Sequence, residues 1–316
     1  SSLLSDISVQ AFTIVDSQAP VQEVSNSRTQ GVLVEEDSAS RAPSTMSPLV
    51  ETGTPYSYAP SESRGPHSAT QCAELRRYVD GLGPAFTDRE MEQLFSILHM
   101  RAGTEDGAVL KEIGALKNLI LDRLIAQRNL PNALGSFLTE TYQDATWDNL
   151  WRNYVIQHVA PYYQARYGNA GGKMSGAEVD SIRDVLWSAG SDSDPSIAAS
   201  ALIGWEVLSR DHELFDRPRL KSRVATLAAS ESTPDALRIT AFQLAGELDA
   251  VESLPAAKAT AVSAPSIALR AAAINAVGAL GSSRERQWLE QFQQPDEPVL
   301  IQGAASLAVY RLAGKH

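Results

Sequence analysis

The sequence has few of the residue types on which chemistry at a protein site usually depends. It contains one cysteine, Cys72, so no disulfide can form within the chain. Cys72 has no second cysteine and no haem-attachment spacing around it, which favours an unreactive thiol over a nucleophile. Only five histidines are present, and His67 and His316 lie outside the central part of the chain. We therefore expect no catalytic, cofactor or metal site.

Positive charge and long apolar runs are also scarce. The chain has 27 Lys and Arg against 38 Asp and Glu, a net charge of −11 at pH 7, and a pI near 5.0. This balance excludes a broad nucleic-acid surface, because phosphate binding needs clustered Lys and Arg. No apolar run approaches the roughly 20 residues that a membrane-spanning helix needs. We expect a soluble protein without a membrane span.

The remaining composition is compatible with a substantial core. Hydrophobic residues make up 43% of 316 residues, which suits two ordinary domains or one continuous repeat array. The sequence begins at Ser1 without Met, a pattern consistent with removal of a leader. A removed leader would place the protein in the periplasm or outside the cell, and otherwise we expect it in the cytoplasm.

Residues 1–70 differ in composition from everything that follows. They contain fifteen Ser, six Pro and no Lys, with eight acidic residues against three basic ones. Such a segment buries too little apolar surface to offset its ordering entropy, which favours an extended, mostly irregular N-terminal arm. Two short pieces, 7–15 with Phe12 and 31–34 with Leu33, have strand-like composition. They would pair with each other or add to the sheet edge of a partner, so Phe12 and Leu33 are candidate partner contacts.

Residues 71–170 are predicted to form helical pairs. Thr87 to Glu90 reads as a capping box, and apolar residues at helical spacing follow it. Within this region, aromatic side chains recur at spacings of 4, 3, 4 and 4, which places them on one helix face. This stripe either forms an aromatic groove for a partner or packs against the preceding pair as core. Its candidate binding residues are Trp147, Trp151, Tyr154, His158, Tyr162 and the adjacent Tyr163.

Residues 171–316 contain an internal repeat. The segments 238–248 and 270–280 align without a gap at an offset of 32, and 302–312 follows at the same offset. Each copy has Ala at its fourth position and Leu at its eleventh, and the first two begin with Arg and have Gly at the ninth. Self-similarity at this period is the signature of a repeat array. Proline marks the predicted start of the helices at Pro195, Pro234, Pro265 and Pro298.

Partner helices are predicted between these copies, at about 219–230, 255–263 and 283–292. The pattern Arg-x-x-Ala-x-x-Ala/Leu-Ala/Val-Gly-x-Leu, in helical pairs of about thirty to forty residues, resembles the HEAT repeat superfamily. It is most similar to the short bacterial form that also occurs in phycobilin lyases. The resemblance covers about residues 145–312 and implies an all-α fold, an α-solenoid of HEAT-type helical hairpins.

Enzymes of three kinds occur on such scaffolds, and each needs residues that can be looked for in this chain. Iron-dependent deoxyhypusine hydroxylases carry several His-Glu dipeptides, whereas this chain has one, His212-Glu213, and a single pair cannot build a metal site. HEAT-like DNA glycosylases need a basic concave face, for which the array has too few cations. Chromophore lyases share the repeat type, but the sequence identifies no general acid or base for thioether formation.

These observations favour a non-enzymatic protein-binding or scaffolding subunit of a multi-protein assembly. Stacked repeats offer a long surface to a protein partner, and the arm would add further contacts. The alternative is a lyase-like enzyme on the same scaffold. A deep pocket that holds His158 with a carboxylate would favour this alternative.

Overall fold

The computed structural model describes residues 65–169 and 174–314, and every regular element in these two ranges is a helix. The all-α prediction is confirmed for this part of the chain. Residues 1–64 of the predicted arm, with Phe12 and Leu33, lie outside the described residues. The last two residues of the predicted arm, Ala69 and Thr70, instead begin the first described helix. Thirteen α-helices are present in the two described ranges: α1 Ala69–Gly81, α2 Asp88–His99, α3 Gly107–Ile125, α4 Leu134–Gln143, α5 Asn149–Asn169, α6 Gly176–Ala189, α7 Pro195–Ser209, α8 Arg217–Ala229, α9 Asp235–Glu247, α10 Leu254–Ser263, α11 Ile267–Leu280, α12 Arg286–Glu290 and α13 Val299–Ala313.

Short 3-10 helices extend two of these elements. Val251–Ser253 leads into α10, while Ser283–Glu285 and Gln291–Gln293 flank α12. The helix that we predicted over 283–292 is therefore divided into three pieces. None of the helices in the described part of the chain combines the length and apolar character needed to cross a bilayer.

Polar caps fix several helix starts. The Thr87 capping box is confirmed, because Glu90 N–H donates to Thr87 Oγ1 at 3.3 Å and Thr87 N–H donates to Glu90 Oε2 at 2.7 Å. Ser175 accepts from Glu178 N–H in the same way, but the Glu178 carboxylate accepts from the Tyr162 hydroxyl at 2.6 Å instead of completing a second box.

The prolines mark helix starts less uniformly than expected. Pro195 is the first residue of α7, and Asp194 directly before it caps the helix by accepting from the N–H groups of Ser196 and Ile197. Pro234 and Pro298 stand one position before their helices, and Ser266 rather than Pro265 caps α11. Proline without an N–H is tolerated at either place.

The sequence repeat coincides with the helix register. The helices α9, α11 and α13 begin at 235, 267 and 299, which is the offset of 32 found in the alignment. Arg238, Arg270 and Gln302 are thus each the fourth residue of their helix. The helices α5 and α7 place Arg152 and Ala198 at the same fourth position. The aligned segments therefore share one structural role.

Consecutive helices pack as pairs, and the second members of the pairs pack on one another. Pairs form between α4 and α5, α6 and α7, α8 and α9, α10 and α11, and α12 and α13. In addition, α3 contacts α5, α5 contacts α7, and the contacts continue through α9 and α11 to α13. This row of second helices carries the buried alanine side chains, including Ala201, Ala241, Ala273 and Ala305.

The aligned arginines join the two helices of their own pair to each other and also bond to the next pair. Arg152 donates from Nε to the Tyr142 carbonyl at 2.9 Å and pairs with Asp192 at 3.0 Å. Arg270 donates from Nε to the Ala261 carbonyl at 2.9 Å and from NH2 to both Glu297 oxygens at 2.9 and 3.0 Å. The carbonyls belong to the first helix of the same pair, and the carboxylates to the next pair.

Arg238 forms one hydrogen bond within its own helical pair and one with the next pair. Its NH2 donates to the Ala228 carbonyl at 3.4 Å and to Thr260 Oγ1 at 2.8 Å. Gln302, which replaces the arginine in the last copy, donates to the Glu297 carbonyl at 2.6 Å. The repeat arginine is therefore a structural residue in this fold.

The glycine of the repeat allows close approach between second helices. A Cβ added at Gly278 would lie 2.5 Å from Ala308 Cβ and 2.6 Å from Ala308 Cα, and one added at Gly246 would lie 3.0 Å from Ala279 Cβ. Gly303, at another position on α13, has nothing within 4 Å of an added Cβ.

We expect Gly278→Ala to destabilise the protein and Gly303→Ala to stabilise it. The added methyl at 278 must push α11 and α13 apart, which costs about 1–3 kcal/mol. At 303, the substitution removes a helix-interior glycine at an open position and contributes about 0.5–1 kcal/mol. Urea denaturation of both variants checks this pair. Equal effects of the two substitutions on the free energy of unfolding would contradict the close packing of α11 on α13.

Candidate functional site

The predicted aromatic stripe lies on α5 and just before it, and its members have different surroundings. Trp151, His158, Tyr162 and Tyr163 are buried, while Trp147 and Tyr154 are half-buried. The four buried side chains are part of the core, which supports the core interpretation of the stripe for them. The half-buried end, at Trp147, lines a cleft.

The C-terminal half of the stripe is held by specific core contacts. The Tyr162 ring lies against Gly135 of α4, and burial together with its bond to Glu178 raises the pKa of the Tyr162 phenol. The Tyr163 ring meets His212 and Phe215 edge-on, with centroids 5.0 and 5.2 Å apart. Edge-to-face aromatic pairs of this kind add stability beyond the area they bury.

His158 has a carboxylate partner but does not line the cleft. Its Nε2 lies 3.0 Å from Asp122 Oδ1, and its Nδ1 lies 2.7 Å from the Tyr154 carbonyl oxygen. The Asp122 side chain is 63% exposed, so this pair lies at the edge between α3 and α5. His158 is not among the residues that line the cleft. The cleft is therefore not the pocket with His158 and a carboxylate that would favour a lyase-like enzyme.

The cleft has a volume of about 500 Å³ and lies between three segments. One is the connection after α2, the second is one face of α3, and the third is the start of α5 with the residues before it. Its lining is mainly apolar and includes Met100, Ile113, Lys117, Trp147, Leu150 and Trp151.

Two groups of contacts fix the walls of the cleft. Arg101 donates to the Thr146 carbonyl at 2.8 Å and to Thr146 Oγ1 at 2.6 Å, which ties the segment before α5 to the segment after α2. Asp148 accepts from Trp151 N–H at 2.8 Å and so caps the start of α5. Trp147 then stands between these two contacts, with the Arg101 guanidinium 4.1 Å from its ring centroid.

Lys117 is the polar centre of the cleft, and sequence reasoning did not single it out. The residue is 3% exposed, and its Nζ donates to the Met100 carbonyl at 2.6 Å. The same Nζ lies 4.5 and 4.6 Å from the ring centroids of Trp147 and Trp151, within cation–π distance. A signal was present, because Lys117 falls on the apolar face of α3, four residues after Ile113 and three before Ile120.

The surroundings of Lys117 favour its neutral form. Burial lowers its pKa from the ordinary 10.5 to about 7, with Asp148 opposing this shift and Arg101 adding to it. Desolvation disfavours a charged amine, and the indole faces and one carbonyl compensate only in part. At a pKa of about 7, roughly half of the Lys117 amine is neutral at pH 7 and able to act as a nucleophile.

A second candidate site is the outward face of α13. Val299, Leu307 and Tyr310 are 85, 45 and 77% exposed, and Leu300 beside them is also exposed. Their spacing along α13 puts Val299, Leu307 and Tyr310 on one stripe. We refer to these four residues as the α13 face.

The repeat register allows the α13 face to be compared with the equivalent positions of α11. Thirty-two residues earlier, Tyr310 corresponds to Gly278 of α11, which is buried. Val299 corresponds to the exposed Ile267, and Leu300 and Leu307 correspond to the half-buried Ala268 and Asn275. In α11, Gly278 itself is covered by α13, because an added Cβ there would lie 2.5 Å from Ala308 Cβ. The Tyr310 end of the α13 face is therefore the part on which a further helix of the row would pack.

The described ranges offer little other chemistry. Within residues 65–169 and 174–314, no group of three or more His, Cys, Asp and Glu side chains could hold a metal ion. Cys72 is buried, and burial followed by the nearby Glu112 raises the pKa of its thiol. Comparison with known proteins adds no family: no protein-family model, curated protein or solved structure matches the chain.

We expect Lys117 to make stability rise with pH above neutrality. Between about pH 7 and 10.5 the unfolded chain keeps the proton on Lys117 while the native chain has lost it, so the free energy of unfolding increases. The slope from this group is at most about 1.4 kcal/mol per pH unit. Urea denaturation at several pH values, for wild type and Lys117→Met, checks the difference.

Lys111→Met is the matched control, because Lys111 is an exposed lysine on the same helix. This control should follow the wild-type slope, whereas Lys117→Met should lose the extra rise. Parallel curves for wild type and Lys117→Met would mean that native Lys117 keeps its proton, which contradicts a lowered pKa for this amine.

Proposed function

We propose that this chain is an α-solenoid of HEAT-type helical hairpins, preceded by an extended N-terminal arm, that serves as a non-enzymatic protein-binding or scaffolding subunit of a larger assembly. The row of second helices from α3 to α13 and the shared register of α9, α11 and α13 support the architecture. Repeats of this kind bury their apolar surface by stacking on neighbours, and they expose a continuous surface to partners.

The observation that carries the functional proposal is the α13 face. Tyr310, Val299, Leu300 and Leu307 leave apolar area in water, which is unfavourable. The position of Tyr310 is covered in α11, where Gly278 lies against Ala308. Clustered exposed apolar side chains of this kind mark protein-interaction sites. Tyrosine in a patch of this kind is a frequent source of binding energy.

The occupant that this face fits is an amphipathic helix of a protein partner. In α11, the neighbour that covers Gly278, the equivalent of Tyr310, is itself a helix that approaches over small residues. The sequence of α13 has no acidic residue, and exposed Arg311 adjoins Tyr310 near the end of the helix. The partner helix should therefore present an apolar face with a carboxylate near Arg311.

The test is co-purification from the native cells with matched variants. The double variant Leu307→Asp, Tyr310→Glu places two charges on the α13 face and should reduce recovery of a protein companion by at least about tenfold. Val262→Asp, at an equally exposed apolar position on α10, should leave recovery unchanged. Equal recovery with both variants, or no companion with wild type, would overturn the proposal. Circular dichroism checks that each variant keeps its helices.

The arm is tested in the same experiment with a variant that lacks residues 1–64. The proposal assigns the arm additional contacts with the assembly, so its removal should weaken recovery without abolishing the contribution of the α13 face. Combining the deletion with the charged double variant should then lower recovery further. Unchanged recovery after deletion would remove the arm from the binding function.

A further inference from the structure

We propose that the cleft around Lys117 is a covalent binding site for small carbonyl compounds with an apolar or aromatic body, which condense with the Lys117 amine to form an imine. This site lies on α3 and α5, at a distance in sequence from the α13 face. It does not depend on the proposed scaffolding function, so either can fail without the other.

The position of the amine supports this inference. Lys117 lines the cleft although it is only 3% exposed, so a ligand reaches it through the cleft. The bond from Nζ to the Met100 carbonyl fixes the amine in place. A neutral amine that donates one hydrogen to this carbonyl still has its lone pair free for attack on a carbonyl carbon.

Lys117 is also costly as a purely structural residue. In the described part of the chain, its head contacts one carbonyl and two indole rings and forms no ion pair with a carboxylate. The nearby charges are Asp148, at the start of α5, and Arg101, in the segment after α2. A buried amine with a strongly lowered pKa in a cleft is more often found at functional sites than in structural cores.

Imine formation needs only the Lys117 amine and the carbonyl compound, and it releases water. The Nζ lone pair attacks the carbonyl carbon to form the N–C bond of a carbinolamine. The carbinolamine then loses its oxygen as water, with both amine hydrogens, and a C=N bond forms. A proton taken up by the imine nitrogen would restore a cation between Trp147 and Trp151, where the two indole faces stabilise it.

The walls of the cleft define the class of ligand. Leu110, Ile113 and Leu150 line it with the two tryptophans, so the body of the ligand should be apolar or aromatic. A volume of about 500 Å³ falls within the range of small-molecule sites.

The experiment uses the full chain with benzaldehyde and cyanoborohydride at neutral pH, followed by peptide mapping by mass spectrometry. Reduction of the imine fixes a benzyl group on the lysine that formed it. We expect Lys117 to be labelled at least about tenfold faster than Lys111, the exposed lysine on the same helix, because more of its amine is neutral. Labelling of Lys111 as fast as Lys117 would overturn the proposal.

A second measurement does not depend on reduction. Benzaldehyde should raise the melting temperature of the wild type and of Lys111→Arg, but not that of Lys117→Arg, which keeps a cation and cannot form an imine. If Lys117→Arg does not fold, the peptide map of the wild type decides the question alone. An equal shift for wild type and a folded Lys117→Arg would show binding without an imine and would contradict the proposal.

Discussion

Close contact between second helices is the constraint on which the rest of this structure depends. A helical pair whose inner face is built from alanine has little side chain with which to fill a gap, so its neighbour must approach almost to the backbone. Gly278 against Ala308 and Gly246 against Ala279 are the places where this approach is closest. The repeat arginine fixes the same seam from the side, because Arg270 bonds Ala261 in its own pair and Glu297 in the next.

The cleft around Lys117 is not packed in this way. There, large aromatic side chains replace the small residues of the later helices, and the space they leave holds an amine that burial makes weakly basic. Lys117 is stabilised by the faces of two indoles and one carbonyl, a combination that tolerates a cation without requiring it. The two candidate sites thus use different physics: the α13 face offers uncovered apolar area, and the cleft offers a reactive group in an apolar space.

Much of the fold could be predicted from sequence because the repeat is periodic and its register is marked by particular residues. The prolines predicted helix starts within two residues of those in the structure, the offset of 32 matches the starts of α9, α11 and α13, and the apolar spacing predicted the helices before them. The candidate site was harder to predict from the sequence. Trp147 and Trp151 were singled out, but helical spacing alone could not separate the cleft end of the stripe from its core end at Tyr162. Lys117 was missed because its burial and its contact with the Met100 carbonyl depend on tertiary packing. The spacing of residues along the sequence does not give the distances between helices that pack together.

The most direct test of the central claim is a disulfide between neighbouring second helices. In the variant Gly246→Cys, Ala279→Cys the Cβ atoms start about 3.0 Å apart, slightly inside the usual disulfide range, so a small shift allows the bond. Close stacking predicts that mild oxidation links these two positions, seen by peptide mapping, while the control pair Gly246→Cys, Gly303→Cys stays reduced. Failure of the first pair to link, with both thiols still reactive, would contradict the stacking of α9 on α11.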